Sequence, residues 1–429
     1  MTASWWLWPL AGVGALAIAS GLITLFSALG RRPVRLQATA SPRFDSGDFL
    51  AALAGAVNGT VQKGGAAELL DSGDAYLPAI IDAIEQAERT IDFMVYIWEP
   101  GEMSDRILHA LTARAAEGVQ VRLLLDGLGG YNAPEERLDG LRAAGARVAR
   151  FRQPRFGRLT RFHKRNHRRA IVIDGRIGFT GGVAVADYWL GDGRTAGSWR
   201  DHMTRLTDCM AANLQSSFAE LWAHCCGELL VGQGFFPDLD GDLPDDAPRH
   251  VALISSPSPE EHPVRLFFNL TFLSAHDRLW ITTPYFVPDA ATRANIAERA
   301  RAGVDVRLLV PGKHIDLRAI RWAAHAYYGE MLDAGVRIWE YQPTMMHAKA
   351  IVADGVWSIV GSANLDIRSK ELNEENVFGI LDATFATQLE RSFERDLEYA
   401  DEIDHDEWRN RRPHVRLPEL LARIFSEQF

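Results

Sequence analysis

The chain opens on an apolar run with no charged side chain from Met1 to Gly30, dense in large groups such as Trp5, Trp6, Trp8, Leu16, Ile18, Leu22, Ile23 and Phe26. A bilayer-spanning helix needs ~20 such residues, so a transmembrane anchor is predicted over 1–30. The tryptophans at one end suit a membrane interface, and Arg31, Arg32 and Arg35 follow at the other. A cleaved leader would carry positive charge before its apolar core. Here the charge comes after it, and the bias of basic residues to the cytoplasmic side places everything beyond Arg31 there. Residues 31–66 hold Pro33, Pro42, Gly55, Gly59, Gly64 and Gly65 and read as a linker. Beyond them, amphipathic stretches alternate with short apolar runs: a helical pattern over 79–89, an apolar strand over 91–98, a helix over 104–117 and a strand from Val119. That alternation is the signature of an α/β fold.

The pattern then breaks and repeats. An acidic, proline-containing stretch over 232–250 marks a boundary, with a first domain over 67–231 and a second over 251–400. Gly118-Val119-Gln120-Val121-Arg122-Leu123-Leu124 returns as Gly303-Val304-Asp305-Val306-Arg307-Leu308-Leu309, and Ala144-Gly145-Ala146-Arg147-Val148 as Ala334-Gly335-Val336-Arg337-Ile338. Three blocks in one order, 185, 190 and 180 residues apart, indicate two copies of one α/β domain and not a solenoid of stacked short units. A tail over 401–429 closes the chain, with Leu417, Leu420, Leu421, Ile424 and Phe425 at helical spacing, read as docking on the core.

The third repeated block carries chemistry. It is His-x-basic-x4-Asp: His167, Arg169 and Asp174 in the first copy, His347, Lys349 and Asp354 in the second. On a strand, residues two apart share a face, so each histidine projects beside its cation. Asp-Gly at 174–175 and 354–355 reads as the turn that closes the strand. Phosphoryl transfer needs positive charge around the phosphate, a nucleophile, and an acid for the leaving alkoxide. Two imidazoles and two cations meet those needs with no metal or cofactor. Composition narrows the field further. A net charge of −10 argues against a nucleic-acid partner. Cys209, Cys225 and Cys226 fit neither a disulfide framework nor a zinc site.

The paired motifs resemble those of the phospholipase D superfamily, over nearly all of the chain after Ala66. Several stretches resemble bacterial cardiolipin synthases: Asn166-His167-Arg168-Arg169 with Gly178-Phe179-Thr180-Gly181-Gly182, Trp199-Arg200-Asp201, Thr283-Pro284-Tyr285-Phe286, and Gly361-Ser362-Ala363-Asn364 through Ser369 with Asn373-Glu374-Glu375. The resemblance implies two domains, each a mixed sheet flanked by helices, related by a pseudo-two-fold axis with the active site between them. It implies that His167 attacks phosphorus while His347 acts as acid and then base. An acidic residue would orient each imidazole, by position Asp201 for His167 and Glu375 for His347, with Glu374 the weaker candidate. Asn364 and Ser362 would donate to the phosphate, and Asp174 and Asp354 would be structural. The reaction implied joins two phosphatidylglycerol molecules into cardiolipin and releases glycerol, at a bacterial-type inner membrane. A hydrolytic phospholipase D and a weakly catalytic lipid-binding scaffold are the competing readings. Two departures fall in the first half: Arg169 stands where the pattern has lysine, and Ala184 where it has asparagine. Tyr285, Phe286 and Trp322 are candidates for the lipid entrance, and the basic run Arg152–Arg165 for headgroup binding.

Overall fold

The computed structural model of the chain describes residues 35–153, 164–239, 243–257 and 262–412, together with Pro418, Glu419 and Ala422. The expected anchor over 1–30 lies outside these. Among the described residues no helix is long and apolar enough to cross a membrane.

Two mixed sheets form the body. The seven-stranded sheet runs, edge to edge, Ala67–Leu70, Met203–Thr207, Ile177–Gly181, Ala170–Ile173, Thr90–Val95, Gln120–Asp126, Arg147–Phe151. The last three are parallel and the others pair antiparallel. The nine-stranded sheet repeats this order with Arg249–Ser255, Glu375–Leu381, Trp357–Gly361, Ala350–Ala353, Arg278–Thr282, Asp305–Pro311 and Arg337–Tyr341, and adds one short strand at each edge. The duplication read from the sequence is therefore a duplication of topology. Every residue of Thr90–Val95 is buried, as expected for a strand covered on both faces. The helices Asp208–Cys226 and Ala383–Leu397 pack between the two sheets in a core drawn from both halves. The outer faces are covered by Gly73–Glu85, Glu102–Ala116 and Glu135–Ala143 on the first sheet and by Pro263–Ser274, Ala290–Arg301 and Arg318–Asp333 on the second.

Of the stretch 31–66, expected as a linker, residues 35–63 are built into the second domain. Gly47–Ala56 is a helix whose first turn is capped by Ser46 Oγ, accepting from the Phe49 amide at 3.3 Å. Phe49 meets Trp357 edge-on at 4.9 Å and Phe44 stacks on it at 6.0 Å. Gln62–Lys63 then pairs with Arg249–His250 at the edge of the second sheet. Phe49, Leu50 and Leu53 already lie on one face of a helix; the glycines and prolines around them hid the pattern. The boundary over 232–250 is pinned too, since Gly234 accepts a hydrogen bond from Thr90 Oγ1 at 2.7 Å and Phe235 is buried under Arg122. The tail departs from a purely helical unit: Ala400–Glu402 is an edge strand beside Arg337–Tyr341, and the helix His405–Arg409 sets Trp408 against Tyr328. Leu417, Leu420, Leu421, Ile424 and Phe425 lie outside the described residues.

Truncating either member of the Phe49–Trp357 contact leaves a cavity in the second core. Phe49→Ala should lower the unfolding free energy by ~3–5 kcal/mol, read from the denaturant midpoint. A passive linker would give a shift near zero.

Candidate active site

Each histidine is carried to the end of a buried strand, beyond the carboxyl end of the neighbouring strand, because Ala170–Ile173 and Ala350–Ala353 run antiparallel to Thr90–Val95 and Arg278–Thr282. The motif aspartates sit at the other end, roughly 20 Å along the strand. Asp174, in the left-handed region at φ 52°, accepts from the amides of Glu88, Arg89 and Thr90, and Asp354, at φ 51°, from His276, Asp277 and Arg278. Each ties its hairpin to the start of the neighbouring strand.

The carboxylates reverse the expected pairing. His347 Nδ1 lies 2.6 Å from Asp201 Oδ2, and His167 Nδ1 lies 3.0 and 3.1 Å from the two oxygens of Glu375. Each histidine is held by the other half. The cause is backbone register. Met345–Met346 pairs parallel with Trp199–Arg200, Met346 opposite Arg200, so the next residues, His347 and Asp201, come side by side. Asn166 bridges Glu374 in the same sense and brings His167 beside Glu375. The His347 amide donates to the Arg200 carbonyl at 2.7 Å and the His167 amide to the Glu374 carbonyl at 3.0 Å. Glu374 is not an orienting carboxylate: it pairs with Arg152 at 2.9 Å and Arg168 at 3.3 Å.

Two further expectations change. The Ser362 hydroxyl donates to Glu375 Oε2 at 2.5 Å and accepts from the Asn376 amide, so its one proton is not available to a phosphate. The basic run is partly internal: Arg165 pairs with buried Asp126 at 3.3 Å and Arg152 with Glu374. Arg155, Arg158, Arg161 and His163 lie outside the described residues. Asn364 is buried with its Oδ1 unpartnered. Ala184 is packed in the first core. Phe286 is core, Trp322 is exposed, and Tyr285 stands at the site, its ring 6.5 Å from His347 and its hydroxyl donating to Asp316 at 2.6 Å.

Reading the residues alone also missed the groups that surround the imidazoles. Trp189 and Trp199 lie 5.6 and 5.2 Å from the His347 ring, and the Trp189 indole donates to Asp201 Oδ2 at 3.1 Å. Tyr96 lies 5.5 Å from His167. Asn376 reaches across from the second half to donate to the Arg169 carbonyl. No motif spacing marks Trp189, Tyr96 or Asn376; Trp199 adjoins the Arg200-Asp201 pair.

Burial and charge set the protonation. Burial, with Arg169, Lys349 and Arg368 adding to it, holds His167 well below the usual imidazole value. Burial and Lys349 bring His347 down to about 4, against the pull of Asp201. Burial alone would raise Asp201, but His347, Lys349 and His202 outweigh it and keep the carboxyl low. Glu375 goes the other way: burial pushes it up to about 8 although Ser362 and Arg169 oppose this. Burial lowers Lys349 to about 7. Its Nζ is 3.1 Å from both ring nitrogens of His347 and donates to the His347 carbonyl at 2.6 Å. Equal distances to two ring nitrogens that point in different directions place the ammonium over the ring and not in line with either. Among the described residues no three His, Cys, Asp or Glu side chains converge as a metal site.

A family described as "Cardiolipin synthase, PLD-like domain" matches residues 80–187 and 271–397, which include both histidines and Glu375 but not Asp201. The chain is 37% identical over 362 residues to cardiolipin synthase A of Pseudomonas fluorescens, covering 83% of this chain and 74% of that protein. It is 33% identical over 368 residues to cardiolipin synthase 1 of Bacillus cereus, covering 84% and 72%. In fold it is similar to the crystal structure of a phosphatidylserine synthase from Haemophilus influenzae, with a TM-score of 0.65 at 16% identity over 88% of this chain and 96% of that one.

Lys349 is cationic below its pKa, so its charge is lost as pH rises through about 7. Affinity for a tetrahedral anion such as tungstate should fall across that range in calorimetric titration. Lys349→Arg should flatten the fall, since a guanidinium stays charged.

Proposed function

The chain belongs to the cardiolipin synthase, PLD-like domain family of phospholipase D superfamily enzymes, and we propose that it makes cardiolipin by transferring a phosphatidyl group from one phosphatidylglycerol to another through a phosphohistidine. The observation that carries this is the crossed pairing: both imidazoles are held at Nδ1 by buried carboxylates, which leaves both Nε2 atoms for the phosphate. Arg169 and Lys349 each act electrostatically on both histidines.

In the first step His167 Nε2 forms a bond to phosphorus, the bond from phosphorus to the glycerol oxygen breaks, and His347 gives that oxygen its proton. The negative charge of a bound phosphodiester raises the proton affinity of His347 toward neutrality. In the second step His347 takes the proton of a hydroxyl on the second phosphatidylglycerol. That oxygen attacks phosphorus, the P–N bond breaks and His167 is regenerated. One phosphodiester is exchanged for another, so no nucleotide is consumed. Asp201, kept ionised and bonded to Trp189 and the His202 amide, stabilises an imidazolium at His347, which favours it as the acid. The apolar run over 1–30 with its following arginines supports a single-pass anchor with both domains on the cytoplasmic side of the membrane.

Purified protein incubated with phosphatidylglycerol vesicles should yield cardiolipin and glycerol by mass spectrometry. His167→Ala and His347→Ala should each lower turnover about 10³-fold or more, with thermal stability kept. Asp201→Asn and Glu375→Gln should each cost about 10²-fold or more. Radiolabelled phosphatidyl should be trapped on His167 in the His347→Ala variant. Phosphatidic acid as the main product would establish hydrolysis instead, and near-normal turnover in either histidine variant would end the paired mechanism.

A further inference from the structure

The departures at Arg169 and Ala184 are linked. By topology Arg169 corresponds to Lys349 and Ala184 to Asn364. Both cations fold back in the same way: Arg169 Nη1 donates to the His167 carbonyl at 2.5 Å, and Lys349 Nζ to the His347 carbonyl at 2.6 Å. An ammonium carries three N–H donors, a guanidinium five and a primary amide two. After the fold-back bond, Lys349 and Asn364 together offer four, and Arg169 alone offers four. Arg169 lines a small cleft together with Val183, Ala184 and Val185. The corresponding cleft of the other half is lined by Lys349, Ala363 and Leu365, and Asn364 does not border it. Arg169 is 2% exposed and its Nε is buried with no partner, a donor that the protein itself does not use.

We propose that Arg169 and Ala184 act as one unit, in which the guanidinium supplies to the transferred phosphate the contacts that Lys349 and Asn364 supply from the opposite side, and Ala184 leaves the space that the guanidinium needs. Arg169 is then a substrate-binding residue by itself, and Ala184 positions it. The proposal rests on the reading of the cleft as a phosphate-transfer site.

The test is a double-mutant cycle on the full chain, reading kcat/KM for cardiolipin formation, tungstate affinity and melting temperature. Arg169→Lys removes donors, and Ala184→Asn crowds the guanidinium. Each should lower kcat/KM and tungstate affinity about tenfold, while Arg169→Lys with Ala184→Asn should recover to within about threefold of the parent, a coupling well outside the ~0.5 kcal/mol seen for independent sites. Losses that simply multiply would overturn the pairing. Recovery of melting temperature without recovery of kcat/KM would reduce it to packing and also overturn it. Rescue of tungstate affinity in a parent protein that makes no cardiolipin would keep the pair and remove the phosphatidyl-transfer reading instead.

Discussion

Two short parallel pairings between the halves govern everything else in the site. Met346 faces Arg200 and Asn166 faces Glu374, and one residue further on each histidine meets the carboxylate of the opposite domain. Neither half can orient its own imidazole. A slip of one residue in either pairing would turn the carboxylate to the other face. The register is locked by buried charge next to it. Arg200 pairs with Asp396 at 2.8 Å and Asp71 at 2.6 Å, and Arg168 pairs with Glu220 at 2.7 Å and Glu374 at 3.3 Å. Such pairs add little net stability but are costly to break singly, which makes them better at fixing a docking register than at holding the protein folded.

Within that symmetry the two histidines are not equal. Asp201 is short, and a Cβ on the opposing Gly182 would come within 2.5 Å of its oxygens. Its partners are an indole and a backbone amide, and it stays ionised. Glu375 is longer, faces Ser362 at the position equivalent to Gly182, and is pushed toward protonation by burial. His347 therefore stands in an aromatic wall beside a firm anion and His167 beside a softer one, while Arg169 and Lys349 act on both. An acid benefits from the firm anion, which stabilises the imidazolium. A nucleophile that must be neutral benefits from the softer one, because a carboxyl pushed toward protonation stabilises an imidazolium less.

The duplication and the two motifs were legible because repeated blocks in fixed order survive without any knowledge of contacts, and because a period-2 strand sets His and its cation on one face. The carboxylate partners were legible as residues but not as pairs. Asp201 and Glu375 hold equivalent places in their halves, so sequence position alone favours the nearer, same-half histidine; only the inter-domain register decides otherwise. Ser362 illustrates the same limit, since a hydroxyl in a phosphate-site motif looks like a phosphate donor until a carboxylate is found 2.5 Å away. The helix Gly47–Ala56 was hidden for another reason. Its apolar face is complete only against Trp357 and Phe267, more than 200 residues downstream, and glycines and prolines dominate the local signal.

That helix also bears on how the molecule is assembled. The chain enters through the second domain before it builds the first: Phe44 and Phe49 lie on Trp357, Gln62–Lys63 joins the edge of the second sheet, and only then does Ala67–Leu70 begin the first sheet. Contacts of such long sequence separation form late and slow folding. They also mean that the second core is incomplete until the first segment of the chain returns to it. Trp357 begins the strand that ends at Gly361, next to Ser362 and hence to Glu375 and His167. The N-terminal arm is thus packed against the base of the strand whose tip orients the first histidine, and loosening the arm would act on the chemistry of the first motif through the core of the second.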